Sequence, residues 1–93
     1  MMRRSNLFTV EGYLTVESDT TEFFERNTRE YWAVSALGKY GDAVTKYMKL
    51  AKEKHEGVYL KALGYSVVHV DASGRERDAL VLKTIYQMGE DNL

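Results

Sequence analysis

A mainly β protein, folded as a five-stranded Greek-key barrel with one α-helix between strands 3 and 4, is what this sequence predicts. Three observations predict it. Three stretches of strand-like sequence come before a single segment with helical spacing, and two long ones follow it. Gly12 and Gly64 interrupt the first and fourth stretches, where a sheet that closes on itself needs bends. The helical segment is alone, which suits a stopper at one end of a barrel. That element order is the order of an OB-fold. At 93 residues the chain is expected to form a single OB-like domain spanning 1–93, with ends at 1–6 and 89–93 that fray.

The first strand is expected over residues 7–16, with Phe8, Val10, Leu14 and Val16 on one parity. Glu17, Ser18, Asp19 and Thr20 make a polar turn into a second strand over 21–25. Residues 26–29 supply hairpin-turn chemistry, with Asn27 suited to a left-handed backbone. A third strand follows over 30–35, placing Tyr31, Ala33 and Ser35 opposite Trp32 and Val34. Gly38 and Gly41 then flank the start of a helix over 39–55. Asp42 is its expected N-cap, and Val44, Tyr47, Met48 and Ala51 mark its buried face. Gly57 is its expected stop. The fourth strand takes 58–70, Asp71 to Gly74 turn the chain, and the fifth strand takes 77–88.

Composition narrows the function classes. Hydrophobic residues at 44% and charged residues at 29% describe a folded chain rather than a disordered one. Seven Tyr, three Phe and one Trp are expected chiefly to build the core and to pair across strands. A net charge of −1 gives no general pull toward polyanions. The stretch from Ser5 to Glu25 carries five acidic residues and no basic one, whereas Lys39, Lys46, Lys49, Lys52 and Lys54 decorate the helical segment as a solvated face. The chain is free of cysteine, so disulfides, thiol catalysis and zinc-thiolate sites are excluded. Met1, Met2, Arg3 and Arg4 look like the start of a signal peptide, yet no apolar run follows, and no transmembrane segment is expected.

The segment Phe23-Phe24-Glu25-Arg26-Asn27-Thr28-Arg29-Glu30-Tyr31-Trp32-Ala33-Val34 resembles a hairpin of the C-terminal OB-like domain in the NlpE-type bacterial envelope lipoproteins. Phe23 matches that hairpin's aromatic start, Glu25 its acidic position, Thr28 its turn threonine, and Trp32 with Val34 its closing pair. The likeness continues through the tyrosine-bearing helix at Tyr47 to Val58-Tyr59-Leu60-Lys61-Ala62-Leu63-Gly64, over residues 12–70. Arg26 stands where the family has a cysteine, so no family disulfide is implied. The family's Cys-x-x-Cys domain, associated with copper stress, has no counterpart here. What the resemblance implies is the fold, an envelope location, and a binding or interaction module.

No reaction is legible. His55 and His69 have no ligand cluster around them, and Glu22 and Glu25, three apart in a strand, point to opposite faces. Asp71 and Asp78 are expected to satisfy turns or to pair with Arg75 and Arg77. No phosphate loop or nucleophile elbow is present. A non-catalytic module that needs no cofactor, and whose partner is a protein or small-molecule ligand, is the reading favoured. The alternative is a single-stranded nucleic-acid-binding OB-fold protein, with Trp32, Tyr31 and Phe24 as stacking rings; Glu22, Glu25 and Glu30 in the same strands oppose it. The candidate binding residues are Trp32 and Tyr59 for their rings and Arg26 and Arg29 for their charge, with core packing competing for both rings.

Overall fold

The structure, a computed structural model, describes residues 7–18 and 20–89. Of the ends expected to fray at 1–6 and 89–93, all but Gly89 lie outside the described residues, as do the charged start at Met1 to Arg4 and Asp19 of the first turn. The elements are β1 (Phe8–Val16), β2 (Thr21–Glu25), β3 (Glu30–Gly38), α1 (Tyr40–Leu50), β4 (Val58–Val70) and β5 (Glu76–Gly89). The strands close into a barrel in the order β1-β2-β3-β5-β4, with β4 returning to β1. Every pairing is antiparallel except β3 with β5. The five-stranded barrel with one helix between its third and fourth strands is therefore the fold that the element order predicts.

Closure depends on β1, which pairs with β4 through Phe8 to Leu14 and with β2 through Gly12 to Val16. Gly12 is where the second pairing begins, facing Glu25 on one side and Leu60 on the other. A Cβ there would overlap the Phe24 carbonyl oxygen and crowd the Arg26 nitrogen at 3.2 Å. Only glycine lets the two backbones approach this closely.

The core is made by the inward parity of each strand. Val10 and Leu14 come from β1, Phe23 from β2, Leu60 and Ala62 from β4, and Leu80, Leu82 and Met88 from β5. Each buried aliphatic side chain contributes about 1.5–3 kcal/mol of transfer free energy. On β5 the inward spacing departs from simple alternation. Opposite Leu60, Ala62 and Gly64 on β4, which step by two, stand Met88, Ile85 and Leu82 on β5, which step by three. Lys83 and Tyr86 are the additional residues, accommodated as two bulges at the shifts beside Leu63 and Lys61. The irregularity expected at Gly64 is thus present, with its additional residue on the partner strand.

α1 covers less than the expected span. It stops at Leu50, Ala51 turns extended, and residues 51–57 fold back so that the Tyr47 hydroxyl donates to the Glu56 carbonyl at 2.5 Å. Lys52, Glu53 and Lys54 offer nothing to bury, so Gly57 does not end the helix; instead the Glu56 carboxylate accepts from the Lys52 and Glu53 amides at 2.8 and 3.1 Å. The N-cap is Lys39 rather than Asp42, which sits in the first turn, 3.9 Å from the Lys39 ammonium. Of the expected buried face, Tyr47 is buried and Ala51 packs against the core; Ala43 and Leu50 join them, Val44 is half-buried, and Met48 is 61% exposed. β3 runs three residues further than expected, to Gly38, because parallel pairing with β5 holds it there. Gly89 is not the start of a frayed end; it pairs with Tyr59 as the last residue of β5.

The β4–β5 turn is organised by Asp71. Its Oδ1 accepts from the Ser73 hydroxyl at 2.7 Å, the Ser73 amide at 2.9 Å and the Arg75 amide at 3.0 Å, and its Oδ2 accepts from Arg77 Nε at 3.2 Å. The Ser73 hydroxyl bond, then the Arg75 amide bond, hold its carboxyl down from 3.8 to about 2.

Two predictions arise from these contacts. Replacing Gly12 by Ala lowers unfolding free energy by about 3 kcal/mol, whereas Gly41→Ala in α1, where an added Cβ meets nothing, raises it by about 0.5 kcal/mol; urea unfolding of both variants measures the contrast. The Asp71 carboxyl ionises at lower pH in the folded chain than when unfolded. Its contribution to the turn is therefore complete above the ordinary value of 3.8 and is lost as pH falls toward about 2. A carboxyl NMR titration with its midpoint near 3.8 contradicts this.

Candidate functional site

Strand register assembles a feature on the outside of the barrel. Tyr59 of β4 stands opposite Tyr13 of β1, Tyr13 opposite Phe24 of β2, and Phe24 opposite Tyr31 of β3. Four rings thus cross four strands in one row. The Tyr59 and Tyr13 centroids lie 6.4 Å apart edge to face, and those of Phe24 and Tyr31 4.8 Å apart, tilted by 50°. Such pairs add about 0.5–1.5 kcal/mol beyond area burial. Exposure rises along the row from 5% at Tyr59 to 69% at Tyr31.

The two ends of the row differ in chemistry. At the Tyr59 end, Glu11 Oε2 accepts from Arg26 Nη2 at 2.7 Å and from the Tyr59 hydroxyl at 2.5 Å, while the Arg26 guanidinium lies 5.6 Å from the Tyr59 ring centroid. Two of the four nominated residues, Arg26 and Tyr59, are therefore brought together by Glu11. At the Tyr31 end, a groove of about 530 Å³ is lined by Thr15, Glu17, Glu22, Tyr31, Ala33 and Asp78, among others. The other two nominated residues lie apart from it. Trp32 points to the inner parity, half-buried against the core, with its ring 6.0 Å from Phe8. Arg29 is exposed at the end of the β2–β3 turn and holds the left-handed backbone (φ 61°) expected of Asn27. The Arg29 amide donates to the Glu25 carbonyl at 2.7 Å, which closes that turn.

The groove mixes polar and apolar surface, and its charged residues are mostly acidic. Arg77, its one basic wall residue, is directed to Asp71, and Glu17 Oε2 receives His55 Nδ1 at 2.8 Å. Glu22 and Asp78 have no ion-pair partner among the described residues. His69 Nε2 lies 3.1 Å from the Ser35 hydroxyl. No group of three or more His, Cys, Asp or Glu able to hold a metal occurs among the described residues, and no helix among them is long and apolar enough to cross a membrane.

Sequence reasoning names Tyr31 and Phe24 only as stacking rings of the nucleic-acid alternative, and it names neither Tyr13 nor the alignment of the three. A usable signal was present: Tyr13, Phe24 and Tyr31 each occupy the solvent parity of their strand, opposite Leu14, Phe23 and Trp32. Register, which only pairing defines, turns three such positions into a row.

Glu25 supports this face from inside. It is 6% exposed at the inner end of β2. Its Oε2 accepts from the Glu11 amide at 2.9 Å and its Oε1 from the Asn27 and Thr28 amides at 2.6 and 3.1 Å, tying β1 to the turn that carries Arg26 and Arg29. A glutamine there sets an NH₂ against one of these amides. Glu25→Gln is expected to lower Tm by roughly 5–15 °C, read by thermal unfolding; an unchanged Tm removes this role.

No protein-family profile matches the chain, and no curated protein matches it. Among solved structures, the fold is similar to the crystal structure of the Cpx pathway activator NlpE from Escherichia coli, with a TM-score of 0.72 and 16% identity over 91% of this chain. The likeness takes in 44% of the NlpE chain, so the sequence spans less than half of that protein's length. At this identity the likeness is one of fold. It agrees with the resemblance of residues 12–70 to the C-terminal OB-like domain of the NlpE-type proteins, and the barrel described here is an NlpE-like barrel.

Proposed function

We propose that this domain is a non-catalytic binding module of a bacterial envelope protein, and that it engages another protein across the outer face of β2 and β3. The observation that carries this reading is the groove beside Tyr31. It lies between the β1–β2 turn and the start of β5, on the strand 2–3 face where OB barrels hold their ligands. An exposed ring packed against Phe24 is a preformed contact that costs little to immobilise on binding. The envelope location rests on the similarity to NlpE.

Chemistry in the groove supports binding rather than turnover. Its hydroxyls belong to threonines and to Tyr31, and no histidine or cysteine lines it to activate a nucleophile. The nucleic-acid reading is disfavoured by the same walls. Glu17, Glu22 and Asp78 meet any phosphate backbone with like charge, and Trp32, the ring best suited to stacking, faces the core.

Two measurements test the proposal. A photo-cross-linking amino acid placed at Tyr31 is expected to form a discrete protein adduct in bacterial envelope extracts, while the same group at Val70, exposed at the end of β4, forms none. Titration with a mixed-sequence single-stranded oligonucleotide at low salt is expected to leave the Tyr31 signals unmoved. An oligonucleotide that binds at Tyr31, with no adduct formed there, reverses the reading.

A further inference from the structure

The walls of the groove specify more than its position. A second row of residues runs parallel to the rings, one pleat further along: Thr15 of β1 stands opposite Glu22 of β2, Glu22 opposite Ala33 of β3, and Ala33 opposite Ala79 of β5. Ala33 is small and lines the groove, so the row sinks beside Tyr31 there, whereas Ala79 is buried beneath the surface at 3% exposure. Glu22 of β2 and Asp78 of β5 both line the groove with Ala33.

From this arrangement we infer that the groove receives a lysine- or arginine-bearing extended segment of a partner protein. The inference rests on the binding-module reading and adds the charge of the partner. Three features converge on it. Tyr31 is 69% exposed, and aromatic rings attract ammonium and guanidinium groups. The small side chain of Ala33 leaves room for the aliphatic stem of a long basic side chain laid across it. Glu22 and Asp78 then meet the charged head, and both stand without a counter-charge among the described residues. Glu17 adds negative potential at the mouth, although His55 already contacts it. Arg77 does not cancel this field, because its guanidinium is directed to Asp71. No lysine lines this groove to compete for the carboxylates.

The test uses the isotope-labelled domain and three probes: a short peptide alternating Lys and Val, its counterpart alternating Glu and Val, and a mixed-sequence single-stranded oligonucleotide. The Lys peptide is expected to shift the amide signals of Glu22, Tyr31, Ala33 and Asp78, with affinity falling as salt rises. The double variant Glu22→Gln, Asp78→Asn is expected to weaken it about tenfold. Tyr31→Ala also weakens it, whereas Met48→Ala on the exposed side of α1 leaves it unchanged. Both carboxylates are exposed, so the double variant keeps its fold, and an unchanged amide spectrum elsewhere verifies that. Groove signals that respond to the Glu peptide or the oligonucleotide, or that stay silent to the Lys peptide at low salt, overturn the cationic assignment. Shifts that map outside the groove overturn it as well. Cross-linking from position 31 presupposes no charge, so it decides separately whether the binding-module reading falls too.

Discussion

The barrel depends on one strand serving two neighbours. β1 leaves β4 and joins β2 within a few residues, and both pairings overlap between Gly12 and Leu14. Backbone contact at Gly12 is close enough that no side chain fits, so the bend is written into a single position. Other features follow from that bend. It curves the sheet enough for β3 to reach β5, gives Glu25 its line to the Glu11 amide, and sets Tyr13 between Tyr59 and Phe24.

Much of the architecture was legible because it depends on local pattern. Alternation located β1, β2 and β4, and the lone helical stretch between the third and fourth strands identified the barrel type. What was not legible depends on partners. The inward residues of β5 step by three, because Lys83 and Tyr86 are spliced in as bulges opposite a regularly alternating β4. No single-strand pattern reveals that, and simple alternation mistakes which of the later β5 residues face the core. On the helix, Tyr47 and Ala51 face the barrel as the spacing implies, but Ala43 is buried and Met48 is not, because the barrel end decides which positions are covered.

The candidate site shows the same division. Arg26 and Tyr59 were chosen for charge and ring, and the structure places them together on Glu11, at the closed end of the aromatic row. Trp32 was chosen as the largest ring, yet its parity carries it inward. The exposed ring is its neighbour Tyr31, which matters because Phe24 lies beneath it and Ala33 opens space beside it. Size and charge can be read from a sequence one residue at a time, whereas a binding face is a property of several strands at once.

One residue of the β2–β3 turn bears on where such a barrel can persist. The Arg26 guanidinium is held by the Glu11 carboxylate and the Tyr59 ring. The staple that joins this turn to β1 and β4 is electrostatic, not covalent. Thiol reductants and oxidants therefore have no bond in this chain to break or form, and the same fold is available in reducing and oxidising surroundings alike.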